Sequence, residues 1–147
     1  MKTTLDKATR DELITRIQNL NENSQAQWGK MNVSQMIRHC TEWEDLASGK
    51  MKCKQVFVGR LFGKMALRSV LKDETPLKRN TPTAPELKTT GNGDVSAEKE
   101  KWISKLKEQG QFSHDGIVHP FFGKMTLEQV GVMDYKHIDH HLRQFGC

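Results

Sequence analysis

Apolar residues recur at intervals of three and four positions through much of the chain, the spacing that places them on one face of a helix. Capping-box sequences, in which Ser, Thr or Asn is followed three residues later by Glu or Gln, mark expected helix starts. Those that precede apolar stripes are Thr9-x-x-Glu12, Asn32-x-x-Gln35 and Thr126-x-x-Gln129. The pattern predicts a first helix from Thr9, a second that stops near Gly49, and a last helix that ends near Gly146.

Two more helices are predicted between these. Residues 59–72 combine an apolar set, which we expect to face the core, with basic residues on the opposite, polar side. The apolar set is Leu61, Phe62, Met65, Ala66 and Val70, and the basic set is Arg60, Lys64, Arg68 and Lys72. Asp94 can cap a further helix over roughly residues 95–109, which Gly110 would end.

A long irregular crossover is predicted between these two helices. The segment from Asp73 to Asp94 carries three of the chain's four prolines together with Gly91-Asn92-Gly93, and such residues favour turns and loops. We find no convincing strand anywhere in the sequence. The expected fold is therefore all-α, with four helices and room for an extra short one.

Composition and charge fit one ordinary globular domain. The chain has 147 residues, 35% of them hydrophobic and 28% charged, and we expect a single domain over residues 1–147. The net charge of +5 is too small to indicate a dedicated nucleic-acid binder. No apolar run suits a membrane span, and the first residues lack the apolar stretch of a signal peptide. We therefore expect a cytoplasmic protein with neither nucleic-acid nor membrane partners, and with reduced cysteines.

One stretch of the chain is strongly basic. Between Asp45 and Asp73 there is no acidic residue. The basic residues of this stretch are Lys50, Lys52, Lys54, Arg60, Lys64, Arg68 and Lys72. A solvated helix face is the favoured interpretation, and the alternatives are attraction of an anionic substrate or contact with nucleic acid or a membrane surface.

The last predicted helix contains four titratable residues in the segment His137-Ile138-Asp139-His140-His141. His137 and His141 lie about 40° apart around the helix axis, one turn above the other, which is the spacing of two metal ligands on one helix. Their face is mainly apolar, so both imidazoles should point toward the interior. His140 lies at the edge of that face, about 60° from His137.

A third metal ligand would have to come from another element. His39 is the natural candidate, because it shares a face of the second helix with Met36 and Trp43. His114 and His119 lie in a predicted loop and can reach the same region. The alternative is that these histidines are structural residues, hydrogen-bonded and free of metal.

Several polar side chains are candidates to orient a ligand imidazole by hydrogen bonding. Asp134 is favoured by its angle, about 60° from His137 on the same side of the helix. Asp139, Glu42 and His140 are the others. The alternative for the carboxylates is an ordinary solvated position on a helix.

Several segments resemble a known superfamily. They are WGKMNVSQMIRHC at 28–40, RNTPT at 79–83, HPFFGKMT at 119–126 and YKHIDHHLRQFG at 135–146. Together they resemble the DinB/YfiT-like metalloenzymes, and within that superfamily a small uncharacterised branch. The resemblance implies a four-helix bundle in up-down-down-up order, with a metal held by His39, His137 and His141.

A candidate substrate pocket is assigned beside these histidines, at His119, Trp43, Arg79 and Asn80, while the catalytic residues stay unassigned. Three imidazoles leave coordination positions open, as in catalytic sites, and a divalent ion activates a bound water or thiol at neutral pH. Zinc or nickel suits the imidazoles, with iron, cobalt or manganese as alternatives.

The predicted function is therefore transferase or hydrolase chemistry on a small molecule. Some relatives of this superfamily use low-molecular-weight thiols, which makes such a thiol a candidate substrate. The competing hypothesis is a non-catalytic binding or structural bundle without metal. The last helix has a second apolar side, at Gly131, Tyr135, Ile138 and Leu142, which indicates either a central helix or the seam of a homodimer.

Overall fold

The computed structural model describes residues 1–81 and 89–147, which form a mostly helical protein with one small sheet. The helices are α1 (Lys7–Gln18), α2 (Val33–Ala47), α3 (Phe57–Val70), α4 (Val95–Glu108) and α5 (Leu127–Gln144). A single 3-10 turn at Gln109–Gln111 follows α4, and the strands are β1 (Gly116–His119) and β2 (Gly123–Thr126). In the described parts of the crossover, residues 71–81 and 89–94, there is neither helix nor strand. Residues Pro82 and Pro85 of the predicted crossover lie outside the described residues.

Helices α1, α2, α4 and α5 pack around a common apolar core. Trp102 of α4, Met36 of α2 and Leu13 of α1 are completely buried there. A second apolar cluster joins the end of α2 to α3, the hairpin and the start of α5. Helix α3 packs against β2, beside the four-helix core.

The predicted capping boxes at α2 and α5 are confirmed. The Asn32 side chain accepts from the Gln35 amide and the Thr126 side chain from the Gln129 amide, and each glutamine returns a bond to the cap backbone. Asp94 caps α4 as predicted. These local signals need no tertiary contact, which is why they can be found in the sequence.

The start of α1 was predicted at the wrong residue. The Asp6 carboxylate accepts from both the backbone amide and the hydroxyl of Thr9, each at 2.9 Å. Helix α1 therefore begins at Lys7, and the predicted box between Thr9 and Glu12 does not form the cap. Asp6, three residues before Thr9, accepts the hydrogen bond from the Thr9 amide and so acts as the N-cap of α1.

The predicted helix ends agree with the structure to within one or two residues. Gly49 and Gly146 follow their helices with φ of 74° and 77°, in the left-handed region that glycine adopts without strain. Helix α4 spans Val95–Glu108, close to the predicted 95–109, but Gly110 lies within the 3-10 turn that follows and is not in the left-handed region.

The expectation of a fold without strands is also wrong. Strands β1 and β2 form an antiparallel hairpin that pairs Ile117 with Met125 and Val118 with Lys124. The first pair is buried and the second exposed. Each strand is only four residues long, which is too short for the alternation to stand out in the sequence.

The predicted orientation of α3 is only partly right, because Ala66 and Val70 pack against the second apolar cluster as expected, whereas Leu61, Phe62 and Met65 face outward. Its buried residues are Gly59, Gly63 and Leu67, while the apolar residues Leu61 and Met65 are 62% and 66% exposed. The two glycines lie so close to the loop between the strands that a Cβ on either would stand under 2.5 Å from the Phe121 carbonyl oxygen. Backbone contact, which only glycine permits, therefore decides which side of α3 faces inward.

The second apolar side of α5 is covered within the chain. A Cβ added at Gly131 would lie 2.4 Å from Thr3 Oγ1, and the Thr4 amide donates to the Gly131 carbonyl over 3.1 Å. Ile138 and Leu142 are fully buried in the common core. Helix α5 is therefore a central helix, and the homodimer stays a prediction.

The close contact of α3 with the hairpin predicts that Gly63→Ala destabilises the protein. Alanine is the better helix former by about 1 kcal/mol, but its methyl group would meet the Phe121 carbonyl oxygen at 2.1 Å. We expect a net loss of about 1–3 kcal/mol in the free energy of unfolding, measured by urea denaturation followed by circular dichroism. Ser69→Ala, at an exposed position of the same helix, is the control. A Gly63→Ala variant more stable than the wild type would contradict the contact.

Candidate metal centre

Helices α2 and α5 bring three histidines together in the interior. His39, His137 and His141 are 4%, 8% and 7% exposed. Each offers one ring nitrogen, and these three atoms all lie within 4.8 Å of one another. The Nε2 atoms of His39 and His137 are 2.9 Å apart. The group can therefore hold a metal ion.

The convergence follows from the geometry of the two helices. His137 and His141 are one turn apart on α5, and their ring centroids are 4.7 Å apart. The centroid of the His39 ring, from α2, lies 4.9 Å from each of these two centroids. Helical spacing places the first two side by side, whereas the third position depends on how α2 packs against α5.

Gln144 orients the ring of His141. The Gln144 Oε1 atom accepts from His141 Nδ1 at 2.8 Å, so His141 carries its proton on Nδ1 and keeps the Nε2 lone pair free for a ligand role. The Gln144 Nε2 atom donates to the Trp28 carbonyl at 2.7 Å, which fixes the amide. Gly29, with φ of 83°, leaves room for this amide, because a Cβ there would lie 2.6 Å from Gln144 Nε2.

Burial keeps the imidazoles of His137 and His141 neutral near pH 7. It lowers the pKa of His141 to about 3, and the His39 ring adds to the effect. Burial, followed by the neighbouring His141 and His39, lowers the pKa of His137 well below its usual value. Neutral imidazole nitrogens are the form that binds a metal. The His137 Nδ1 atom is buried, with no hydrogen-bond partner among the described residues.

The carboxylates predicted to orient a ligand imidazole are engaged by other residues. The two oxygens of Asp139 accept from Arg16 at 2.9 Å and from Arg143 at 2.7 Å. Asp134 accepts from Trp43 Nε1 at 2.5 Å and from the Gln109 amide. Both therefore tie α5 to other parts of the chain, and the orienting bond to His141 comes from Gln144.

His140 lies at the margin of the cluster, whereas the charged neighbours of Glu42 belong to α2 and α4. The His140 ring is 5.2 Å from that of His141 and 5.7 Å from that of Trp28, and it is hydrogen-bonded to the Leu77 backbone. Partial burial raises the pKa of the Glu42 carboxyl.

Trp43 and His119 form a wall beside His137. The centroid of the Trp43 ring lies 5.0 Å from the centroid of the His137 ring and 5.5 Å from that of the His119 ring. His119 Nδ1 accepts from the amides of Phe121 and Phe122, both at 3.0 Å. Burial lowers the pKa of His119 to about 4, so its ring is neutral and faces Trp43 as an aromatic group.

Arg79 and Asn80 lie elsewhere, near Trp28. The Arg79 guanidinium is 4.0 Å from the centre of the Trp28 ring, and Asn80 adopts a left-handed φ of 57°. Arg79, Trp28 and His140 line a cavity of about 350 Å³. The predicted substrate pocket is therefore divided into two places, one beside His137 and one beside Trp28. His114, the remaining loop histidine, packs on Phe112.

A buried pair of carboxyl groups, which the sequence did not reveal, lies on the far side of Trp43. The Gln109 side-chain amide donates to both Glu44 and Asp134, and Trp102 Nε1 donates to Glu44 at 3.3 Å. Burial raises the pKa of Asp134 to about 6. Burial and then the charge of Asp134 raise the pKa of Glu44 well above its usual value. Both carboxyl groups therefore hold a proton more readily than an exposed carboxyl does.

Fold and site together define a mostly helical protein whose buried three-histidine group can hold a metal ion. The chain belongs to the family described as "Protein of unknown function (DUF1569)", which matches residues 1–146. No curated protein and no solved structure matches the chain. Among the described residues there is no helix long and apolar enough to cross a membrane.

The carboxyl pair predicts a pH-dependent effect of Glu44→Gln. A carboxyl with a raised pKa stabilises the fold at low pH, and this contribution is lost as the pH rises through its folded pKa. As the pH rises from about 4 to about 7, the free energy of unfolding of the variant should therefore increase by about 1–3 kcal/mol relative to that of the wild type. Urea unfolding at several pH values measures this difference. The buried histidines also make stability depend on pH, in the opposite direction, but they are present in both proteins and their contribution cancels in the difference.

Glu108→Gln, which removes an exposed carboxylate paired with Lys50, is the matched control and should show no such trend. A stability difference between Glu44→Gln and wild type that stays constant across this pH range would contradict the raised pKa of Glu44.

Proposed function

We propose that this protein is a metal-dependent enzyme that activates a thiol or water for transferase or hydrolase chemistry on a small molecule. The observation that carries the proposal is the convergence of three buried ring nitrogens within 4.8 Å. Three neutral protein donors are typical of catalytic metal sites, whereas structural zinc sites usually have four.

The donor set suits a divalent ion, with zinc or nickel first and iron, cobalt or manganese as alternatives. When bound, such an ion would lower the pKa of a coordinated water or thiol, so that a nucleophile forms near pH 7. His39, His137 and His141 would hold it. Two of these rings come from one helix, so the site is largely formed before the ion binds.

The surrounding residues would orient the ligands and restrict water. Gln144 holds His141 in the Nδ1-protonated form, which directs the other nitrogen toward the cluster. Trp43 covers His137 with aromatic surface and is itself in contact with His119, and a site with such walls favours a small substrate. The resemblance to DinB/YfiT-like metalloenzymes, with their up-down-down-up bundle, supports a low-molecular-weight thiol as that substrate.

A second candidate function is a metal-free binding or structural bundle. One observation favours it: a separation of 2.9 Å between the Nε2 atoms of His39 and His137 is also the length of an N–H···N hydrogen bond. In that case one ring donates to the other, and the cluster is satisfied in part without an ion.

The metal proposal predicts about one divalent ion per chain in untagged protein purified without chelator, measured by elemental analysis. Adding zinc or nickel to chelator-treated protein should raise the melting temperature by several degrees, because the ion binds the folded state. His39→Ala and His141→Ala should each abolish that rise, while His114→Ala, outside the cluster, should keep it. Absence of metal together with an unchanged melting temperature would favour the metal-free bundle.

The hydrogen bond from His141 to Gln144 predicts that Gln144→Leu weakens zinc binding by about 10- to 100-fold. Gln144→Glu retains an acceptor for His141 Nδ1 and should bind closer to wild type. Competition with a chromogenic zinc chelator measures the affinities, and Gln18→Leu, at an exposed position of α1, is the control. Equal affinities for Gln144→Leu and wild type would exclude the orienting role.

Catalysis itself is tested on metal-loaded protein with two general probes. They are the transfer of cysteine to 1-chloro-2,4-dinitrobenzene and the hydrolysis of 4-nitrophenyl acetate. We expect metal-dependent turnover with at least one of them, lost in His39→Ala. Stoichiometric metal with no turnover of either probe would favour a non-catalytic metal-binding role.

A further inference from the structure

Helix α3 exposes an apolar surface that the metal site does not use. Of the eight large apolar side chains that are exposed among the described residues, six lie between positions 56 and 65. They are Val56, Phe57, Val58, Leu61, Phe62 and Met65, which we call the α3 apolar face, and they are 42–72% exposed. Such concentration of exposed apolar groups marks an interaction site.

The α3 apolar face cannot turn inward. The inner side of α3 is held against the hairpin loop by Gly59 and Gly63, at distances that leave no room for a side chain. The Gln55 side chain also donates to the Phe121 carbonyl at 3.1 Å, and the Val56 amide donates to the Pro120 carbonyl at 2.8 Å. The start of α3 is therefore anchored with its apolar side outward.

Basic residues accompany the apolar face. Arg60, Lys64 and Arg68 are exposed along one edge of α3, one turn apart, and Lys52 and Lys54 are exposed just before it. No acidic residue occurs between positions 46 and 72. Some charges of this stretch have partners: Lys50 pairs with Glu108, and Lys64 Nζ donates to a carbonyl.

We propose that the α3 apolar face docks on the surface of an anionic lipid bilayer, with α3 lying in the plane of the interface. A helix with exposed aromatic and aliphatic groups beside lysines and arginines has the composition of interfacial helices. Each basic residue near an anionic surface adds attraction. A second copy of the chain would bring the same positive charges to the interface, so charge complementarity favours anionic lipid over self-association.

The expectation of no membrane partner rested on the absence of an apolar run long enough to cross a bilayer, which does not bear on a helix lying in the plane of the interface. Leu61, Phe62 and Met65 were expected to face the core, and the proposal follows from their exposure. The surface is independent of the three histidines, so it stands whether or not the metal proposal holds.

Flotation of the full chain with lipid vesicles tests the proposal. Vesicles of phosphatidylcholine with phosphatidylglycerol should bind the protein at low salt, and pure phosphatidylcholine vesicles should bind it at least about tenfold more weakly. Raising the salt concentration should weaken binding to the anionic vesicles. Phe57→Trp should show a blue-shifted emission component on binding that the wild type lacks.

Two pairs of variants separate the contributions of apolar and basic residues. Leu61→Gln/Met65→Gln and Arg60→Gln/Arg68→Gln should each lower vesicle binding about tenfold or more. The controls are Val118→Gln, an exposed apolar residue of β1, and Lys101→Gln/Lys107→Gln, which removes two exposed charges from α4. All altered positions are exposed, so circular dichroism and melting temperature should match the wild type.

Failure of the wild type to bind anionic vesicles would overturn the proposal. So would binding that is insensitive to the Leu61 and Met65 changes. A dimer in sedimentation equilibrium that Leu61→Gln/Met65→Gln dissociates, without vesicle binding, would instead assign the face to a second copy of this chain.

Discussion

Three imidazole rings buried together impose the main constraint on this structure, because each ring nitrogen removed from water needs a partner. Among the described residues, Gln144 satisfies one nitrogen of His141, whereas His137 Nδ1 has no hydrogen-bond partner. Two nitrogens face each other at 2.9 Å, where both lone pairs can point at one cation. The three rings could therefore hold one divalent ion.

The polar groups around the cluster divide into two sets with Trp43 between them. On one side its ring contacts His137; on the other, its indole nitrogen donates to Asp134. The Gln109 amide also links Asp134 to Glu44, and the two residues form the buried carboxyl pair. The Gln109 amide holds the two carboxyl groups together, while burial lowers the pKa of His137 and of His141. Separating acidic from imidazole groups in this way keeps the cluster free of a competing internal ion pair.

Much of the site could be predicted from the sequence, because His137 and His141 are related by helical spacing alone. His39 was selected by its face on α2, but its distance from α5 depends on packing. The role of Gln144 was missed, although it shares the face of His137, because its second partner is a carbonyl 116 positions away. Asp134 was placed near the histidines by angle, yet an indole from another helix takes its oxygen. The exposure of the apolar residues of α3 could not be predicted. The periodicity of apolar residues does not show that the side of the helix carrying Gly59 and Gly63 packs against the backbone at Phe121.

The central claim is that these three rings share one cation, and nitrogen-15 NMR of histidine-labelled protein tests it directly. On addition of equimolar zinc, the ring nitrogens of His39, His137 and His141 should shift together, while those of His114 should not. Before zinc is added, His141 should already show a protonated Nδ1. Unchanged spectra for these three rings at equimolar zinc, or shifts confined to other histidines, would contradict the claim.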